Sequence, residues 1–148
     1  MSLEFKTIFE LRVSSDFFSL VGVCDFFPLF SPQLVNMKNT RGIKNIFLKE
    51  FEVRWSDLDA NRHLSNVSYL TYAGETRMAF LQEIGFSHKN LFRLNIGPIV
   101  FNEQLFYFNE VLPDDNIQVS LELAGMSKDG TFFEFEHNFY NNKGVNVG

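Results

Sequence analysis

The sequence predicts an α+β fold in which one long helix packs on an antiparallel sheet, and three observations carry this. A stretch rich in helix formers runs from the polar pair Ser65 and Asn66 to Gly85. One alternating apolar and polar segment precedes it, and a series of such segments separated by turn-forming tetrapeptides follows it, the order of a layered α+β domain. With 148 residues, 45% hydrophobic and 21% charged, the chain suits one hydrophobic core rather than two lobes.

Taken in order, residues 5–14 alternate, with Phe5, Thr7, Phe9, Leu11 and Val13 on one side and Lys6, Glu10, Arg12 and Ser14 on the other, which is a strand pattern. Phenylalanine accounts for 19 residues, seven of them within the first 36, so this stretch is treated separately. The apolar run at residues 17–35 is split by Asp25, Pro28 and Pro32, short of the roughly 20 uninterrupted apolar residues of a bilayer span. Glu4 and Glu10 beside Lys6 and Arg12 spoil the clean positive end of a signal peptide. The single cysteine, Cys24, allows no intramolecular disulfide and no thiolate zinc cluster, so the expected location is the cytoplasm. Residues 1–36 therefore read as an N-terminal extension and residues 37–148 as the domain.

Residues 46–57 alternate Phe47, Phe51, Val53 and Trp55 against Glu50, Glu52 and Arg54, which predicts a half-buried strand. Ser65 and Asn66 are good N-cap residues for the helix that follows. Val67, Leu70, Ala73, Phe80, Leu81 and Ile84 supply its expected apolar stripe, and Gly74 is expected to let it approach a sheet closely. Strands are then expected at residues 98–112, along Ile117, Val119, Leu121 and Leu123, and along Phe133, Phe135 and Phe139. Turns fall at Pro113 to Asn116, Ser127 to Gly130 and Asn141 to Gly144. Val145 and Val147 read as the opening of a last strand, most of which the domain lacks.

A formal charge of −5, from 13 basic and 18 acidic side chains, gives no whole-surface attraction to nucleic acid or to an anionic membrane. His63, His88 and His137 show no metal-binding spacing, and no GxSxG, Walker or GxGxxG pattern occurs. Chemistry-bearing groups gather instead in the connection holding Asp57, Asp59, Asn61, Arg62, His63, Ser65 and Asn66. A carboxylate, a carboxamide and an imidazole leading into a helix N-terminus can supply a base, an orienting group and N–H donors for an oxyanion. Turn and cap preferences alone would also place Asp and Asn there.

The segment DLDANRHLSNVSY resembles the DxDxNxHxNNxxY pattern of acyl-ACP thioesterases. More broadly, residues 53–86 resemble the start of a hotdog-fold thioesterase of the 4-hydroxybenzoyl-CoA thioesterase superfamily. The resemblance implies a hotdog fold and hydrolysis of an acyl-CoA or acyl-ACP thioester, with Asp59 as general base or nucleophile and Asn61 and His63 beside it. It places Arg62, Asn66 and Tyr69 toward the substrate. It implies no cofactor beyond the coenzyme A or phosphopantetheine of the substrate, no metal, and a homodimer or homotetramer with the acyl tunnel at the interface. The basic residues Lys38, Arg41, Lys44, Lys49 and Arg54 suit coenzyme A phosphates or an acidic carrier, or simply a solvated face. Glu75 reads as a solvated helix residue, and Arg77 as either a buried ion pair or a phosphate contact.

Ser65 stands where the acyl-ACP pattern has asparagine, and Arg62 where bacterial relatives often have glycine. These departures and the shortened C-terminus keep a non-catalytic acyl-binding domain as the alternative, with an enoyl-CoA hydratase on the same fold as a third reading. Residues 5–14 are expected either to fill the vacant strand position or to belong to an extension outside the family pattern.

Overall fold

Segments with period-two alternation become strands wherever one face can be buried, and the computed structural model describes them within residues 5–13, 46–128 and 132–148. The order is β1 (Phe5–Val13), β2 (Phe47–Glu52), α1 (Asn66–Glu83), α2 (His88–Leu94), β3 (Ile96–Gln104), β4 (Asn116–Met126), β5 (Phe132–His137) and β6 (Phe139–Asn141). A short 3-10 turn at Trp55–Asp57 joins β2 to the loop before α1. Residues 17–35, including Cys24, and Lys38, Arg41 and Lys44 lie outside the described residues, as do the side chains of β1.

One antiparallel sheet has the strand order β2-β4-β5-β1-β3, and β6 pairs with β4 beside this path. β4 is long enough to serve two neighbours along one side. Its first half pairs Ile117 with Asn141 and Val119 with Phe139, and its second half pairs Leu123 with Phe135 and Met126 with Phe133. β1 lies inside the sheet, with Phe5 opposite His137 and Phe9 opposite Phe133 on one side, and Lys6 opposite Gln104 and Val13 opposite Ile96 on the other.

α1 packs on this sheet. Its buried residues are Ser68, Tyr69, Tyr72, Ala73, Thr76, Arg77, Phe80 and Leu81, spaced at three and four as one helix face requires. Two apolar clusters result. Phe80, Leu81, Phe86, Leu91, Leu121, Phe133 and Phe135 fill one end. Val53, Leu64, Tyr69, Tyr72, Ala73, Val111, Ile117, Val119, Phe139 and Val147 fill the other, beneath the polar loop. Each fully buried large side chain contributes roughly 1.5–3 kcal/mol, so these clusters dominate the folding free energy.

Several expectations are corrected. The helix stripe holds at Ala73, Phe80, Leu81 and partly buried Ile84 but not in the first turns, where Val67 is 64% exposed and Leu70 37%; polar Thr76 and Arg77 are buried beside it. Burial is tolerable because Thr76 donates to the Tyr72 carbonyl at 2.7 Å and Arg77 pairs with Glu103 of β3 at 2.7 Å. Gly74 makes no close approach to the sheet, since a side-chain carbon there would meet only the Arg77 guanidinium at 3.7 Å. The strand over residues 46–57 stops at Glu52, and Trp55 is 89% exposed. The strand over residues 98–112 is instead β3, ending at Gln104 and followed by an irregular segment to residue 115.

α2 is an element that the sequence pattern does not predict. Ser87 caps it by accepting from the Asn90 N–H at 3.3 Å, and Asn95 closes it in the left-handed region at φ 53°. Seven residues with Leu91 as the core anchor are too few to reveal a helical period. At the C-terminal side, residues 145–148 fold back beside β6: Val147 donates to the Phe139 carbonyl at 2.8 Å, and Phe139 donates to the Gly148 carbonyl at 2.8 Å.

Candidate active site

The loop before α1 is held in shape by its own backbone. Ser65 N–H donates to the Asp57 carbonyl at 2.9 Å, and Asp59 N–H donates to the His63 carbonyl at 2.8 Å. An isolated bridge pairs Leu58 with Leu64, whose side chain is buried. Between them the chain reverses at Arg62, which sits in the left-handed region at φ 65°. Ser65 then caps α1, its hydroxyl accepting from the Ser68 N–H at 3.2 Å. The remaining first-turn N–H groups of α1 have no acceptor within the helix and carry the positive end of its dipole.

Asp59 is the organising residue of this loop. Its Oδ1 accepts from the Asn61 N–H at 2.8 Å and from the His63 N–H at 3.0 Å. These bonds, the His63 N–H first, hold its carboxyl below the usual carboxylate range. Asp59 is therefore ionised throughout the neutral range.

A cleft of about 440 Å³ opens beside it, lined by Asp59, His63, Leu64, Asn66 and Tyr69 on one side and by residues 107–111 on the other. His63 Nε2 lies 3.3 Å from Glu110 Oε2 across this cleft. Tyr69 forms the floor, buried and packed edge-on against Tyr107 (centroids 5.2 Å apart) and Phe139 (5.0 Å). Burial pushes its hydroxyl up to about 12, so it stays a neutral phenol. The 107–111 wall is fastened from two sides, by Leu64 N–H to the Val111 carbonyl at 2.9 Å and by Phe108 N–H to the Val147 carbonyl at 3.0 Å.

Of the residues singled out in the sequence, Asp59, His63, Asn66 and Tyr69 come together on the cleft. Among the described residues, the lining leaves out Asn61 and Arg62. Asn61 offers its backbone N–H to Asp59, and Arg62 occupies the turn. Glu75 lies elsewhere, paired with Lys49 at 3.2 Å. Glu110 and the aromatic pair Tyr107 and Phe108 escaped sequence reasoning. The signal for the aromatic pair is the run Phe106, Tyr107, Phe108, three consecutive aromatic residues that break period two.

The chemistry on offer is an ionised carboxylate, an imidazole with a carboxylate beside it, and helix N-terminal N–H donors around a half-apolar cleft. Among the described residues no group of three or more His, Cys, Asp or Glu side chains is placed to hold a metal ion. No described helix is long and apolar enough to cross a membrane.

Comparison with known proteins gives the family and the fold. A family model described as the Thioesterase-like superfamily matches residues 53–147. A hypothetical protein of Staphylococcus aureus, determined in complex with CoA, superposes with a TM-score of 0.64 at 19% identity, over 71% of this chain and 65% of its own. A DHNA-CoA thioesterase from Staphylococcus aureus gives 0.62 at 17% identity, over 69% and 67%. A hypothetical protein from Aquifex aeolicus gives 0.53 at 20% identity, over 69% of this chain and 93% of its own. The chain thus spans slightly less than two thirds of the first of these structures. At such identities these likenesses establish the fold. No curated protein matches the chain.

Proposed function

Because the chain belongs to the thioesterase-like superfamily and has the hotdog fold, we propose that it hydrolyses an acyl-CoA thioester to a free acid and a thiol. The observation that carries this reading is the position of ionised Asp59 on a cleft shared with His63, Glu110 and the N-terminal end of α1.

In this reading the thioester carbonyl enters the cleft with its oxygen toward the first-turn N–H groups of α1, which stabilise the oxyanion as it forms. Asp59 takes a proton from a water molecule while that water's oxygen bonds to the carbonyl carbon. The tetrahedral intermediate collapses with cleavage of the C–S bond, and the departing thiolate takes up a proton. Direct attack by Asp59 on the carbonyl carbon is the other path, expelling the thiolate to leave a mixed anhydride; water then attacks the Asp59 carbonyl carbon, freeing the acid with one Asp59 oxygen and leaving a water oxygen in its place. Repeated turnover in ¹⁸O-labelled water would place label in the Asp59 carboxylate only by the second path. His63, with Glu110 beside it, is suited to orient the water. A coenzyme A thioester and the phosphopantetheine thioester of an acyl carrier protein present the same reacting group to these residues.

Thiol release from a panel of acyl-CoAs, compared between wild type and Asp59→Asn, tests the reading. Loss of a general base or nucleophile lowers turnover by about 10²–10⁴-fold. Full activity in Asp59→Asn would overturn the role of this carboxylate, and tight acyl-CoA binding without turnover in wild type would favour an acyl-binding domain.

The proposal includes a homodimer. Val67 (64% exposed) and Leu70 (37%) on α1, and Tyr107 (54%) across the cleft, leave apolar surface that a second copy would cover. Light scattering at micromolar concentration is expected to give at least twice the mass of the chain; a folded monomer would contradict it.

A further inference from the structure

We propose that Asp57 and Tyr72, neither of which lines the cleft, are positioning residues that clamp the Asp59 loop onto α1. This rests on the hydrolase reading above, since it assigns how that reaction's carboxylate is held.

The geometry is a hub centred two residues before Asp59. Asp57 Oδ2 accepts from the Arg54 backbone N–H at 2.9 Å, from Arg54 Nε at 3.0 Å and from the Tyr72 hydroxyl at 2.8 Å. Its Oδ1 accepts from Arg54 Nη2 at 3.0 Å. The Asp57 carbonyl accepts from Ser65 N–H at 2.9 Å and from the Ser68 hydroxyl at 2.8 Å. One residue thereby ties the end of β2, both ends of the loop and the first two turns of α1 together.

Tyr72 is a rigid member of the hub. Its ring is buried and stacks on Phe51 of β2 with centroids 4.4 Å apart and planes 9° apart, which fixes its hydroxyl 2.8 Å from Asp57 Oδ2, with the Glu52 carbonyl of β2 the longer contact at 3.5 Å. Its hydroxyl is raised above the ordinary phenol value, first by burial and then by the bond to Asp57, so it keeps its proton to donate. The Arg54 side chain holds the Asp57 carboxyl below the usual carboxylate range. A buried charge is a poor route to stability when apolar residues can fill the same volume. Its physical merit here is directional: each bond fixes the loop at a defined angle, and Asp59 is the second residue along.

The test compares wild type, Tyr72→Phe and Arg54→Gln in the full chain, measuring acyl-CoA turnover and amide hydrogen exchange over residues 58–65. Tyr72→Phe keeps the ring and removes one hydroxyl; Arg54→Gln alters a side chain that is 65% exposed, so the fold survives if the first variant does not. For both we expect kcat to fall about 10-fold with KM within about twofold, the signature of a misplaced reacting group rather than lost binding. Exchange at the His63 and Ser65 amides is expected to quicken about 10-fold while β4 amides are unchanged. Unchanged loop exchange overturns the clamp whatever the turnover. Quickened exchange with unchanged kcat overturns its positioning role. A wild type inert on every acyl-CoA, with quickened loop exchange in the variants, overturns the hydrolase reading and leaves the clamp's hold on the loop established.

Discussion

At the scale of single residues, Asp59 and Asp57 show how two carboxylates two positions apart are given different work by their surroundings. Asp57 is buried and bonded to Arg54 and Tyr72, so its charge is fully engaged in structure. Asp59 is exposed and bonded to two backbone N–H groups of its own loop, so it remains an accessible anion. Composition and spacing present both aspartates alike; the resemblance points to Asp59, and their partners give the physical difference between them. Glu110 is the residue whose neighbourhood no local pattern reveals, because it meets His63 across 47 positions of chain at 3.3 Å. Both side chains of that pair are solvent-accessible, at 39% and 63%, so the contact is weak and screened. Glu110→Gln should therefore lower kcat by about 3–10-fold, far less than Asp59→Asn, with no change in thermal stability beyond about 0.5 kcal/mol. Steady-state kinetics and a melting curve on the same preparation check this; a loss as large as that of Asp59→Asn would make Glu110 a principal catalytic group.

At the scale of elements, β1 has the most consequence. It stands between β5 and β3, so β3 reaches the rest of the sheet through a strand from the far end of the sequence. The alternation of residues 5–14 predicts the strand, but nothing in it says that the strand is interior, because pairing partners 83 or more positions away leave no local trace. An interior strand has its backbone groups engaged on both sides. Proline at Thr7, opposite Glu103 and Phe135, removes a ladder donor, leaves the facing carbonyl unsatisfied and should cost about 1–3 kcal/mol. Thermal unfolding of Thr7→Pro measures this, and an unchanged melting temperature would place β1 outside the folded core. α1 is the most legible element, with Ser65 as its cap and Ala73, Phe80 and Leu81 buried as its stripe predicts, but the stripe fails in its first turns. Apolar Val67 and Leu70 face out and polar Thr76 faces in, bonded to the Tyr72 carbonyl, while Arg77 takes the buried ion pair that was one of its two expected readings, with Glu103 as the strand carboxylate.

At the scale of the whole molecule, pH reports how the core is assembled. His137 is fully buried, and its Nδ1–H donates to the Ser120 carbonyl at 2.8 Å. Burial, followed by the nearby Arg77 charge, pushes its imidazolium down to about 3 from the ordinary 6.5. The unfolded chain thus binds a proton near pH 6.5 that the folded chain refuses until about pH 3. Stability is full above pH 6.5 and falls as pH drops through this window, by up to about 1.4 kcal/mol per unit. Melting temperatures between pH 7 and pH 4 should decline in wild type and decline less in His137→Gln. Parallel curves for the two proteins would show that His137 titrates normally in the fold.

Across these scales the division between sequence and structure follows the range of the interactions involved. The layered α+β class, the helix with its Ser65 cap, the turns at Pro113 to Asn116 and Asn141 to Gly144 and the Asp59 to Asn66 loop are legible because each depends on residues within one or two turns of chain; Asp129 and Gly130 of the third expected turn lie outside the described residues. Resemblance in that same short stretch also identified the superfamily. The tertiary structure alone decided that α2 exists, that β3 stops at Gln104, that β1 lies within the sheet, and that Glu110, Tyr107 and Phe108 form the far wall of the cleft. Each of these depends on burial or pairing with residues distant in sequence, and free energy gained that way overrides local propensity without altering the local pattern.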